Sequence, residues 1–460
     1  MQPHERWDAA VMVSPLAVMV RGVVEWTFPP GSFAELFSRY APGQTTRTLT
    51  VDSLVGLMID VVTGIRPSVY AAYVADQNEP TPTLTATHQA VYAKLGRLAP
   101  AFSAALVRRS GERLGSVLAA AGRTRCPGWA GYRVRILDGT DLAGTEHRLA
   151  VLRRIHAAGL PGRLVVEYDV ATGLVVDVSV SEDAYTSERV LVKRILEQTR
   201  ANDVYVADRH YCTTEVMFGI DRRRGRFVIR EHEKLRTQVL RKARRVGRVA
   251  TGEVWEQPIM VEDPATGERR PVRRLILKLD TPNREGETEI RILTNLRKKV
   301  TAVRIVALYR QRWTLERHFD FLKNCLNGQI ESLGEPRAAL FAMSMAMVAG
   351  NAVAVVKQAL ATAHGTAEFA KLSGYYLADE IRGHARAVAA LIEPQQWEEL
   401  ARQPAPAFWP WCLRLARQVR TAALHIHPRG PKKPKPHRHS GKQRPHYSTY
   451  RLKNEAKTRC

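Results

Sequence analysis

Tyr309-Arg310-Gln311-Arg312-Trp313-Thr314-Leu315-Glu316-Arg317-His318-Phe319-Asp320-Phe321-Leu322-Lys323 is the stretch on which the interpretation of this sequence turns. Set on one helix at about 100° per residue, Tyr309, Arg312, Glu316 and Lys323 fall within a sector roughly 100° wide. A carboxylate flanked on one face by two cations and a phenol suits a site that holds a metal ion and grips phosphates. The plain alternative is an amphipathic helix with a solvated charged face, since Glu, Arg and Lys are common helix residues.

Two more acids stand in suitable settings upstream. Arg133-Val134-Arg135-Ile136-Leu137 alternates as a strand does and runs into Asp138-Gly139-Thr140. Val204-Tyr205-Val206-Ala207 is a short apolar run that ends at Asp208-Arg209-His210-Tyr211. An acid just past a hydrophobic strand is held at a rigid sheet edge, where open sheets place their chemistry. An Asp in that position also serves as a turn or cap residue, so each acid alone says little. Taken in order, Asp138, Asp208 and Glu316 make a candidate set of three hard oxygen donors. Phosphodiester chemistry needs an activated oxygen nucleophile, a stabilised leaving oxygen and shielding of charge, all of which two divalent ions about 4 Å apart supply. Mg²⁺ prefers oxygen and keeps several waters, so three carboxylates plus substrate phosphates suffice. The five cysteines show no Cys-x2-Cys pair and no zinc spacing with the histidines.

Tyr-x2-Arg-x3-Glu-x6-Lys at 309–323, Asp-Gly-Thr at 138–140 and Asp-Arg-x-Tyr at 208–211 together resemble the signature of a large family of bacterial insertion-sequence transposases. These are DDE enzymes that cut and paste DNA through hairpin ends. The resemblance implies an α/β fold, in which a ribonuclease-H-like catalytic core is interrupted by a β-rich insertion and flanked by helical regions. It implies Asp138, Asp208 and Glu316 as catalytic metal ligands, with two Mg²⁺ ions for which Mn²⁺ can substitute. The family spacing selects Glu316 over Asp320, one turn further on. Tyr309, Arg312 and Lys323 would clamp phosphates, Trp313 would pack against the DNA end, and Arg230 resembles a family DNA contact. Trp255 is the candidate platform for a flipped base, with a place in a small insertion core as its alternative. The implied partners are the element's terminal inverted repeats and target DNA, bound by a homodimer on paired ends, in the bacterial cytoplasm at the nucleoid. Two other classes stay open: a transposase-derived DNA-binding protein that no longer cuts, and a ribonuclease-H-like nuclease without strand transfer.

The charge distribution agrees with a polyanionic partner. Of the net +25, Arg222–Arg248 carries +10 and Arg429–Arg459 another +10. DNA gives up counterions when Lys and Arg neutralise its phosphates; an acidic membrane surface, RNA or a solvated tail are the alternatives. Ala338–Val356 is uncharged over 19 residues, but Ser344, Gly350 and Asn351 suit a buried core helix better than hydrocarbon. The scattered cysteines favour a reducing compartment, and Glu5, Asp8, Pro15 and Arg21 spoil a secretory pattern at the start.

Pattern changes divide the chain. Residues 1–125 read as a helical DNA-binding region, in which Thr87–Leu98 looks like a recognition helix or an ordinary short one. Residues 130–230 and 300–330 form the expected catalytic core, with strands at Tyr132–Asp138, Arg163–Val170, Gly173–Ser181, Asp203–Ala207 and Arg226–Arg230. Helices are expected at Ser187–Arg200 and Thr213–Arg223. Three strands, helix, strand, helix, strand is the ribonuclease-H-like order. Residues 231–299 form the β-rich insertion, with strands at Val272–Leu279 and Glu287–Leu293. Residues 331–424 return to helix, and 425–460 are a basic tail, whose Pro428–Pro445 composition predicts a flexible segment.

Overall fold

The computed structural model describes residues 3–458 apart from 46–48, 125, 127, 130, 143, 147–148, 156, 284, 428–429 and 431–446. Strands begin at β1 (Arg133–Asp141), β2 (Gly159–Leu160), β3 (Arg163–Asp169) and β4 (Val175–Ser181). They continue as β5 (Asp203–Ala207), β6 (Arg226–Arg230), β7 (Thr237–Val239), β8 (Arg244–Val249), β9 (Gly252–Glu262), β10 (Arg269–Leu279), β11 (Glu289–Thr294) and β12 (Tyr447–Ser448). The main sheet is ordered β4-β3-β1-β5-β6-β11-β10-β9-β7, with β8 paired to β9. β1 is antiparallel to β3 but parallel to β5, and β5 is parallel to β6. Parallel neighbours need a crossover, and helix Thr214–Arg222 provides it between β5 and β6. The turn Ala171-Thr172-Gly173 joins β3 to β4 as a hairpin, with Gly173 at φ +78° where a side chain would be strained.

Period-two alternation buries both faces of the central strands. Val134, Ile136, Val204, Val206 and Val228 enter the main core, which includes the long C-terminal helix. Leu137, Tyr205, Ala207, Phe227 and Ile229 enter a second core under helices Glu188–Glu197 and Thr214–Arg222. The 231–299 segment holds five strands rather than the two expected. It is hydrogen-bonded into the same sheet, since β11 pairs with β6 and sets Ile292 opposite Arg230. Strands β7 to β9 escaped sequence reading because Arg, Gly and Glu break their alternation, as in Arg244–Val249.

Helix Pro336–His364 is long and apolar enough to cross a membrane, yet 94% of its apolar window is buried inside the protein. Asn351 explains its polar residue: its amide accepts from Val175 N–H at 2.8 Å and donates to Val175 O and Ser110 Oγ, both at 2.8 Å. Edge strand β4 is thereby tied to the core helix. Gly350 lets the signature helix approach, because a Cβ there would lie 2.8 Å from Leu322 Cδ2. In the N-terminal half, helix His88–Leu95 buries Val91 and Leu95 and is capped by Thr87.

The end of the basic tail, beyond the Pro428–Pro445 segment, is docked. β12 pairs in parallel with β2, Ser448 and Thr449 are buried, and helix Thr449–Thr458 follows. Ser448 Oγ donates to Asp183 at 2.7 Å and Arg451 pairs with the same carboxylate at 2.5 Å. Most of the Pro428–Pro445 segment itself lies outside the described residues.

Candidate active site

Register places the first two acids side by side. In the parallel β1–β5 pair, Val134 stands opposite Val204 and Ile136 opposite Val206. Two residues further on are Asp138, still within β1, and Asp208, the first residue past β5, both in phase with that same face. Neighbouring strands are about 4.8 Å apart, so the two carboxylates stand close together on one side of the sheet, where β5 ends beside β1. Asp208 is still extended (φ −81°, ψ −175°), and its Oδ1 accepts from His210 N–H at 2.7 Å. It is therefore both the cap of a short turn and a member of the pair.

The third acid arrives through Arg312. Its guanidinium pairs with Asp138 at 3.3 Å and with Glu316 at 2.8 Å, and it also donates to the Tyr309 phenol. One planar fork spans both carboxylates, so their nearest oxygens lie within roughly 9 Å of each other. Lys323 Nζ donates to Thr140 Oγ1 at 3.2 Å, at the same end of β1. Arg230 ion-pairs with Glu287 and its charge acts on buried Tyr309. Trp313 is 56% exposed beside Arg312, with the guanidinium 5.8 Å from its ring centre. Asp320 is exposed on the helix surface.

One expectation changes in detail. Tyr309 and Lys323 do not share one helix: the first helix is Ala302–Arg310, the second Trp313–Asn324, and Arg312 is the N-cap of the second. Across the junction the backbone bonds tighten to three-residue spacing, from Gln311 N–H to Leu308 O at 2.8 Å and from Arg312 N–H to Tyr309 O at 3.1 Å. The tight turn preserves the convergence of Tyr309, Arg312 and Glu316 without a continuous helix. Trp255 lies on another part of the sheet. It sits on β9, three strands beyond β6, half-buried, with Lys278 Nζ 4.4 Å from its ring centre and its indole N–H directed at Glu253.

The electrostatics favour a cation. Burial, together with the negative charges of Asp208 and Glu188, pushes the Asp138 carboxyl up to about 7 in spite of Arg312. Hard oxygen donors crowded into one buried place suit a hard divalent ion. Among the described residues, no three acidic, His or Cys groups are placed closely enough to hold an ion as they stand. Glu316 is held by Arg312 at 2.8 Å. Arg312 Nε is buried without an acceptor among the described residues, a donor that a phosphate oxygen could satisfy.

Glu188, which sequence reading did not single out, stands against this pair. A Cβ added to Gly139 would lie 2.2 Å from the Glu188 carboxyl carbon. The only sequence signal was the glycine after Asp138. Part of the basic charge is also internally spent: Arg222 pairs with Glu268, Arg245 with Glu253 and Arg248 with Asp280. Lys234, Arg236, Arg241, Lys242 and Arg244 remain exposed around β7 and β8.

Residues 129–349, just under half of the chain, match the family model described as Transposase DDE domain. The match spans Asp138, Asp208 and Glu316 and supports a transposase function. No curated protein matches the sequence. Among solved structures, the chain is similar to piggyBac transposase in a cryo-EM synaptic complex with hairpin DNA. That likeness has a TM-score of 0.38 and 10% identity, and covers 85% of this chain and 84% of the other.

Proposed function

We propose that the chain is a DNA transposase that excises and reinserts an insertion sequence through hairpin ends, working in the bacterial cytoplasm as a homodimer on paired ends. The observation that carries this reading is the placement of Asp138 on β1 and of Asp208 just past the neighbouring parallel strand β5, with Arg312 paired to both Asp138 and Glu316. The order β4-β3-β1-β5-β6, with β3-β1 antiparallel and β1-β5-β6 parallel, supports a ribonuclease-H-like core continued by the β-rich insertion.

Asp138, Asp208 and Glu316 would hold Mg²⁺, or Mn²⁺ in its place, as a pair of ions. Bound there, divalent ions would supply Lewis acidity toward phosphorus and lower the cost of the oxyanion nucleophile and leaving group. The protein's own groups do the rest. Arg312, Tyr309 and Lys323 bind non-bridging phosphate oxygens and align the scissile bond, and Trp313 packs on the DNA end.

Four in-line displacements at phosphorus would follow. Water breaks the bond to the 3′ oxygen and frees a 3′-hydroxyl. That hydroxyl attacks the opposite strand, closing a hairpin and expelling the flanking DNA. Water reopens the hairpin, and the regenerated 3′-hydroxyl attacks target DNA. Arg230 and Trp255 would hold DNA distorted beside the cut.

The test is cleavage of end-sequence DNA by wild type and by Asp138→Asn, Asp208→Asn and Glu316→Gln. Each substitution should abolish metal-dependent nicking while DNA binding persists. Nicking that survives in Asp138→Asn or Asp208→Asn would overturn the reading.

A further inference from the structure

We propose that Glu188 is a positioning residue of this site, a fourth carboxylate whose charge sets divalent-ion affinity from the face opposite Arg312. The inference rests on the transposase reading above. Asp138 lies in phase with Ile136 on the face of the main core, where Arg312 meets it. Gly139, one residue on, points the other way, toward the helix Glu188–Glu197. Glu188 is the first residue of that helix, capped by Ser187, and its carboxyl lies over Gly139: both oxygens come within 2.6 Å of where a Cβ would stand. A side chain at position 139 would push the Glu188 carboxyl aside.

The same helical turn also holds the segment of the second acid. Glu188 acts electrostatically on the buried Tyr211 hydroxyl, and Arg189 Nε donates to His210 O at 2.8 Å. The turn Arg209–Tyr211 that follows Asp208 is thus braced by the element that touches the residue after Asp138. Arg163, held to Asp141 at 2.5 Å and to Thr186 O at 3.1 Å, is the nearest cation on this side. A negative charge fixed between two aspartates raises their attraction for a divalent ion, and groups one shell out from ligands tune affinity by 10- to 100-fold, roughly.

The experiment is Mn²⁺ binding to the full chain, followed by electron paramagnetic resonance, with melting temperature as the fold control. Glu188→Gln, which keeps the shape and removes only the charge, should weaken Mn²⁺ binding about tenfold. Its melting temperature should stay near that of the wild type, and DNA nicking should recover at high Mn²⁺. Glu188→Asp should restore part of the affinity. Tyr211→Phe keeps the charge and should bind Mn²⁺ better than Glu188→Gln. Wild-type Mn²⁺ affinity in Glu188→Gln, or an equal loss in Tyr211→Phe, would overturn the role of the charge. If Asp138→Asn and Asp208→Asn also bind Mn²⁺ like wild type, the metal-site reading itself fails and takes this inference with it.

Discussion

Asp138 shows most clearly what the site costs the fold. Its carboxyl is pushed up to about 7, chiefly by burial. A group that holds its proton more tightly when folded stabilises the protein fully below its unfolded value, and that stability is lost as pH rises toward about 7. Asp138→Asn is neutral at every pH. Without divalent metal it should melt a few degrees above wild type at about pH 8, the gap closing toward about pH 4. Equal melting temperatures at both would mean that Arg312 compensates the charge completely. Glu316 offers a second residue-level test, because it holds Arg312 at 2.8 Å whereas Asp320 faces solvent. Glu316→Gln should lower nicking on the order of a hundredfold or more, while Asp320→Asn should leave it within about threefold. The reverse order would reassign the third acid.

Elements explain what could be read from sequence and what could not. β1 and β5 were legible because Val134, Ile136, Val204 and Val206 are apolar and end at Asp138 and Asp208. Their register was not, since it depends on long-range pairing that no local pattern encodes. The signature at 309–323 was legible as a set of converging residues but not as two helices, because Gln311 and Arg312 carry no breaker signal. Glu188 was hidden for a different reason: an acid at a helix start reads as ordinary dipole complementation. Trp255 belongs to β9, where one ring face lies against Lys278 and the residue is half-buried rather than sealed in a core. If it supports an extruded base, Trp255→Ala should nick nearly normally yet form hairpins about ten- to a hundredfold more slowly, as 1–3 kcal/mol of stacking implies. An abasic nucleotide at that position should relieve part of the defect. Equal loss of both steps, or unfolding, would return Trp255 to a packing role.

For the whole molecule, the net charge of +25 is not spread evenly, and part of the Arg222–Arg248 excess is neutralised within the protein. The tail must also be divided. Residues 447–458 pack against β2 and Asp183, so deleting them removes structure as well as charge. The cleaner variant replaces Lys432, Lys433, Lys435, Arg438, Lys442 and Arg444 with serine and keeps the docked end. If these residues meet phosphates, the slope of log affinity against log salt should flatten by about 0.9 for each phosphate that is no longer neutralised. An unchanged slope would assign DNA binding to the cations around β7 and β8 instead. Segments separated by 70 and 108 residues must meet for any of this to work. The most direct measurement replaces Mg²⁺ with Fe²⁺ in the DNA-bound protein, adds ascorbate and peroxide, and maps where hydroxyl radicals break the polypeptide. Breaks at Asp138, Asp208 and Glu316 together, all suppressed by excess Mg²⁺, are the predicted result. Breaks confined to one of the three, or clustered elsewhere, would contradict a shared metal site.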